Sequence, residues 1–160
     1  MKITALEEYG LRCMLLLARC GPDETMTLPE FQASEGLSIP YAAKLLMILK
    51  KAGLVRAARG RNGGYALARQ PEKIMLKEIL DALGEPAFSS SHCGKHAGQL
   101  DICIHKADCQ VRIIWQSFDE MIGRILGNIT LADLVTGKLE ILDTIHLATG
   151  NGISDISSRG

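Results

Sequence analysis

Three cysteines fall within one short stretch of the chain, Cys93, Cys103 and Cys109, and His92, His96 and His105 lie among them. The spacing is C-x9-C-x5-C. Thiols gathered this closely are soft metal ligands. Structural zinc sites use close C-x2–4-C pairs, and the chain has none. Iron–sulfur clusters are held mainly by thiolates and tolerate wider spacing. The pattern therefore points to a metal site one ligand short; the other reading is a loop of reactive thiols without metal. A cysteine nucleophile activated by His92 or His105 is a third chemistry, but no sequence feature suggests a substrate site. Five cysteines, an odd number, make a poor disulfide framework. Cys13 and Cys20 sit among apolar residues at helical spacing and read as core.

A second chemistry lies in the charge. The 160 residues carry 18 Lys plus Arg and 18 Asp plus Glu, a formal net charge of zero. The charges are sorted along the chain. Residues 38–77 hold Lys44, Lys50, Lys51, Arg56, Arg59, Arg61, Arg69, Lys73 and Lys77 against Glu72 alone, which is +8, and the remainder is −8. Such asymmetry suits a polyanion partner. No apolar run approaches the roughly 18 residues of a membrane span, and the first residues do not read as a secretory signal. A cytoplasmic protein without membrane contact is expected.

The elements that must position these groups are mostly helical. Thr4-Ala5-Leu6-Glu7 is a capping box, and Leu6, Tyr9, Cys13, Leu16, Leu17 and Cys20 recur at helical spacing, so a first helix runs to about Arg19. Thr27-Leu28-Pro29-Glu30 is a second capping box, opening a short helix that ends near Gly36. Ser38 caps a third helix with the apolar stripe Ala42, Leu45, Leu46 and Leu49, closed by Gly53. Strands are predicted at 54–57 and 65–68, joined through Arg59-Gly60-Arg61-Asn62-Gly63-Gly64, where Asn62-Gly63 signals a tight turn. A fourth helix is predicted over 74–83. After a Ser-, Cys-, Gly- and His-rich linker comes a long amphipathic helix bearing Val111, Ile114, Trp115, Phe118, Met121, Ile122, Ile125 and Leu126. Thr130-Leu131-Ala132-Asp133 starts one more turn, and the Gly- and Ser-rich end from Thr149 is expected to fray.

The fold class is thus mainly α with a small β-hairpin wing: a winged helix-turn-helix followed by a long C-terminal helix. The expected organisation is a DNA-binding domain over 1–86, a cysteine-rich loop over 87–109, the long helix over 110–135 and a tail over 136–160. A third helix presenting Ser38, Tyr41 and Lys44 can enter a major groove. Arg59 and Arg61 on a narrow glycine-rich tip suit a minor groove.

In order along the chain, several motifs resemble the Rrf-two family of bacterial transcription regulators. They are Glu8-Tyr9-Gly10-Leu11-Arg12, Ser38-Ile39-Pro40-Tyr41, Lys51-Ala52-Gly53-Leu54-Val55, the wing Arg59-Gly60-Arg61-Asn62-Gly63-Gly64-Tyr65, the three-cysteine loop and Ile129-Thr130-Leu131-Ala132-Asp133-Leu134. The resemblance implies a homodimer crossing through the long helix and a palindromic double-stranded operator read by the third helix and the wing. It also implies an iron–sulfur cluster on Cys93, Cys103 and Cys109 that senses redox state, nitric oxide or iron–sulfur supply. IscR-like members carry a histidine ligand three residues after the last cysteine; this chain has Arg112 there, and guanidinium cannot ligate. NsrR-like members can use an acidic residue of the partner's first helix, and Glu8 matches that position. The resemblance thus favours Glu8 as fourth ligand of a 4Fe–4S cluster, with 2Fe–2S as the alternative. A regulator that uses its thiols directly, or binds zinc, is the competing function. The spacing from Cys93 to Cys103 exceeds the commonest family pattern.

Overall fold

The computed structural model describes residues 3–21, 24–58, 60, 63–84, 103, 105 and 109–137. Helix α1 spans Ala5–Cys20, α2 Leu28–Glu35 and α3 Ile39–Lys51. Each starts where side chains satisfy orphan N–H groups. The Thr4 hydroxyl accepts the Glu7 N–H at 3.2 Å while the Glu7 carboxylate accepts the Thr4 N–H at 2.7 Å. Glu30 accepts the Thr27 N–H at 2.6 Å, and Ser38 Oγ accepts the Tyr41 N–H at 3.4 Å. Pro29 and Pro40 occupy first turns, where no intrahelical N–H is missed.

Strands β1 (Val55–Ala58) and β2 (Gly64–Leu67) pair antiparallel, from Val55 opposite Leu67 to Ala58 opposite Gly64. The expected hairpin is formed, and Asn62 of its turn signal lies outside the described residues. The ladder closes at Ala58 and Gly64, leaving residues 59–63 as the connection. Within it the Gly63 N–H donates to the Gly60 carbonyl at 2.9 Å, and Gly60 rather than Gly63 takes the positive φ, 106°. Met26, just before α2, adds a bridge on the far side of β2, exchanging both backbone hydrogen bonds with Tyr65 at 2.8 and 2.7 Å. The approach is so close that a Cβ at position 64 would lie 2.6 Å from the Met26 carbonyl oxygen, so this position admits only glycine.

The fourth helix is shorter than expected. A 3-10 turn at Pro71–Lys73 precedes α4, which runs Leu76–Leu83. Ile74 and Met75 are extended instead of helical because their backbone is already engaged. The Leu76 N–H donates to the Ile129 carbonyl and the Leu131 N–H to the Ile74 carbonyl, each at 2.8 Å, and Met75 bridges Thr130. That partner lies far along the chain, after α5 (Gln110–Leu126) and at the start of α6 (Leu131–Thr136), so the apolar pattern of 74–83 carries no sign of it. Helix α6 opens on its own capping box, Thr130 with Asp133.

One core joins α1, α2, α3, β1, α4 and α6. Met14, Leu17, Phe31, Leu45, Leu46, Leu49, Ile79 and Leu131 are sealed within it. Gly10 lets α1 approach α4, for a Cβ there would sit 2.5 Å from the Leu83 methyls. Helix α5 stands outside this core. It has no buried residue. Val111, Ile114, Trp115, Phe118 and Met121 are exposed, and its C-terminal part meets the body where Gly123 lies against the Lys77 stem.

Candidate nucleic-acid interface and cysteine loop

Helix α3 turns its Ala42, Leu45, Leu46 and Leu49 stripe wholly inward. The opposite side carries Pro40, Lys44, Met47, Lys50 and Lys51, all exposed, with Ala43 half-buried beside them. These positions are three or four apart and so form one strip. Of the expected DNA-contacting residues, Lys44 lies in this strip. Ser38 is exposed at the helix start, with its oxygen engaged as the cap. Tyr41 is half-buried, its ring set edge-on to Tyr9 of α1 at 6.1 Å and 89°. Arg59 and Arg61 lie outside the described residues. Among the other basic residues, Arg69 pairs with Glu78 at 2.9 Å and Lys77 with Asp81, while the Arg56 guanidinium donates to the Leu67 carbonyl at 3.2 Å. The strip of α3 thus gathers three exposed cations, Lys44, Lys50 and Lys51, on one helix. Sequence reading missed Met47, although its position three after Lys44 and four before Lys51 marks it.

Glu8 and Arg12 lie one turn apart on α1. The Glu8 carboxylate accepts from Arg12 at 2.7 and 2.8 Å, and both side chains are about half exposed. Arg12 also reaches Glu35 at 3.7 Å and lies over the Tyr9 ring, 5.6 Å from its centroid. The hydrogen bond and charge of Glu8 raise the Arg12 pKa above its ordinary value. Side-chain contacts thus run from Glu8 through Arg12 and Tyr9 to Tyr41 on α3. This route was not visible in the sequence beyond the four-residue spacing of Glu8 and Arg12.

The cysteines separate by environment. Cys13 is fully buried, and burial first, then the charge of Glu35, pushes its thiol up to about 12. It is an inert core residue. Cys20 is half-buried against the core, its thiol also raised by burial. Cys103 and Cys109 are half-buried outside that core. Cys109 caps α5, its sulfur accepting the Arg112 N–H at 3.3 Å. Cys93, His92 and His96 lie outside the described residues, and His105 is exposed. Among the described residues, no three His, Cys, Asp or Glu side chains come together as a metal site.

A winged helix-turn-helix, a basic α3 and a capping cysteine ahead of a long exposed helix form one constellation. A family model described as Rrf2, iron-dependent transcriptional regulator, matches residues 3–137. The chain belongs to the Rrf2 family. As an Rrf2 protein it is a DNA-binding transcription regulator. It is 32% identical over 135 residues to protein rrf2 of Nitratidesulfovibrio vulgaris, covering 84% of this chain and 87% of that one. It is 31% identical over 159 residues to the HTH-type transcriptional regulator IscR of Vibrio parahaemolyticus, covering 97% and 92%. Among solved structures, IscR of T. potens aligns with a TM-score of 0.67 at 31% identity, over 86% of this chain and 88% of that one. CymR, the global cysteine regulator of B. subtilis, aligns with a TM-score of 0.68 at 26% identity, over 86% and 98%. Its relatives are regulators and not enzymes, which sets aside the cysteine-nucleophile chemistry. No helix among the described residues is long and apolar enough to cross a membrane.

Proposed function

We propose that this Rrf2 regulator is a cytoplasmic homodimer, joined through α5, that reads a palindromic operator and senses through an iron–sulfur cluster. Ser38, Tyr41 and Lys44 of α3 and Arg59 and Arg61 of the wing contact the DNA. Cys93, Cys103 and Cys109 of one subunit hold the cluster, with Glu8 of the partner subunit as fourth ligand. One observation carries the reading: Cys109 caps the very helix that exposes Ile114, Phe118 and Met121, so one of the three thiols stands at the start of the surface that would meet a second copy.

The donor set fits such a group. Cys103 and Cys109 stand outside the sealed core, where thiolates remain accessible, and the Arg112 N–H supplies the kind of hydrogen bond to sulfur that tunes cluster potential. Glu8 is exposed on α1, and its match to the acidic ligand position of NsrR-like members favours 4Fe–4S, 2Fe–2S being the alternative. When bound, the cluster supplies a centre that responds to oxidants, nitric oxide or iron–sulfur supply. The chain's own residues carry the response. A Glu8 drawn to a ligand position leaves Arg12 with Glu35 as its remaining carboxylate, and Arg12 lies over the ring that abuts Tyr41. Operator affinity changes to the extent that the two arrangements differ in affinity for DNA.

Anaerobic native mass spectrometry of the dimer tests this by counting iron and sulfide together. Changing Cys93, Cys103 and Cys109 to Ala should abolish thiolate-to-iron absorption and alter operator affinity. Unchanged affinity in that variant would overturn the switch while leaving DNA binding intact. A second reading, direct thiol sensing or zinc binding without a cluster, draws support from the likeness to S. aureus CymR in its oxidized form, which aligns with a TM-score of 0.64 at 27% identity. Anaerobically purified protein with zinc or without metal would favour it.

A further inference from the structure

The outward strip of α3 is unusual in what it lacks. Between Ser38 and Lys51 there is no Asp, Glu, Asn or Gln. Its two hydroxyl groups are constrained, since Ser38 Oγ serves as the helix cap and the Tyr41 ring is packed on Tyr9. What faces outward is apolar or purely a donor. Met47 is 52% exposed and Ile39 40%; Ala43 lies beside Met47 one turn back, and Lys44, Lys50 and Lys51 frame the strip. An exposed Met on a sealed domain invites a partner, and three flanking lysines favour a polyanion over a second protein surface.

The edges of base pairs in a major groove differ in what they ask of such a strip. Adenine and cytosine present amino donors, which are read by carboxylates or amides. Guanine presents two acceptors, and thymine an acceptor and the C5-methyl, the one apolar group in the groove. A strip with no carboxylate or amide lacks the usual partners of the adenine and cytosine amino groups. Its lysines suit guanine acceptors or phosphates, and its apolar atoms suit thymine methyls.

We propose that Met47 and Ala43 are specificity-determining residues that select thymine through its C5-methyl, with Lys44 selecting an adjacent guanine. This rests on the reading of α3 as the groove-entering helix. Burial of one methyl against Met47 is worth roughly three- to fourfold in affinity.

The test uses the full-length protein and an operator obtained by selection from a randomised duplex pool. Each thymine of the half-site is replaced in turn by uracil, which removes the methyl and leaves pairing unchanged. At least one replacement per half-site should weaken binding roughly three- to fourfold per methyl. Met47→Ala should narrow the difference between thymine and uracil operators at that position to whatever Ala43 alone supplies. Because Met47 is exposed and uracil substitution leaves the protein untouched, misfolding does not confound the result. If no uracil substitution changes affinity while Lys44→Ala weakens binding, α3 reads DNA without methyl recognition and the proposal is overturned. If Lys44→Ala and Met47→Ala both leave affinity and the selected sequence unaltered, the groove-entering role of α3 fails as well, and the proposal falls with it.

Discussion

Helices α3 and α5 carry the same kind of signal and meet different fates. Both have an apolar face at helical spacing. In α3 the face of Ala42, Leu45, Leu46 and Leu49 is sealed completely by the rest of the chain. In α5 the face of Ile114, Trp115, Phe118 and Met121 remains exposed, Trp115 and Phe118 lying together with ring centroids 6.1 Å apart. Periodicity announces that a helix has a face to bury. It does not say whether the covering surface belongs to the same chain. In α5 the half toward the C-terminus, with Ile122, Ile125 and Leu126, is half-buried, while the half toward the N-terminus keeps its apolar side chains exposed among the described residues.

The largest effect that separates the two helices should come from charging the exposed face. Ile114→Glu with Phe118→Glu should weaken self-association by at least about a hundredfold, since two unpaired charges would be desolvated. The domain should keep its helical circular dichroism, and sedimentation reads the loss. A variant that stays dimeric would place the interface elsewhere.

A smaller contrast comes from truncation. Leu45→Ala should cost about 2–5 kcal/mol whatever the protein concentration, because its cavity lies inside one chain. Phe118→Ala should lower the unfolding temperature by an amount that depends on protein concentration, as for any group that stabilises by association. Thermal unfolding at several concentrations distinguishes them, and equal behaviour of the two variants would erase the contrast drawn here.

The smallest effect is acid sensitivity of the body. The hydroxyl and N–H of Thr130 lower the Asp133 pKa, the Met75 N–H and then Arg69 lower that of Glu78, and the Thr27 N–H and hydroxyl lower that of Glu30. Each carboxylate is favoured in its charged form by folding. Its contribution is full above the ordinary carboxylate range, about pH 4, and is lost as pH falls through the lowered folded value. Denaturation midpoints should therefore drop on acidification below about pH 4. Asp133→Asn should show a shallower drop than the wild type.

What could be read from the chain beforehand follows the range of the interaction concerned. Caps at Thr4, Thr27 and Ser38 are local and were legible to the residue, because donor and acceptor lie three positions apart. The stripe of α3 and the existence of the wing were legible for the same reason. The extended backbone at Ile74 and Met75 was not, since its hydrogen-bond partners are Ile129 and Leu131. Nor was the packing of the Tyr41 ring on Tyr9, which belongs to another helix. In the candidate site, residue types pointed to thiol chemistry and to a basic reading helix. The spacing of Met47 from Lys44 and of Glu8 from Arg12 was there to be read, but the contacts of Arg12 with Glu35 and Tyr9 came only with three-dimensional placement.

The bridge between Met75 and Thr130 also has a meaning for how such a chain can vary. The clasp between Met75 and Thr130 closes an interval that holds α4, packed in the core, then the three cysteines and α5. Whatever happens between the two points, the path begins and ends at a fixed anchor stitched by backbone hydrogen bonds. Lengthening a tethered excursion is entropically cheap, about 0.6 kcal/mol for a doubling. A sequence can therefore stretch the interval from Cys93 to Cys103, as this one does, while the DNA-reading half is left undisturbed. The clasp makes the cysteine-bearing interval a replaceable cassette on a constant chassis.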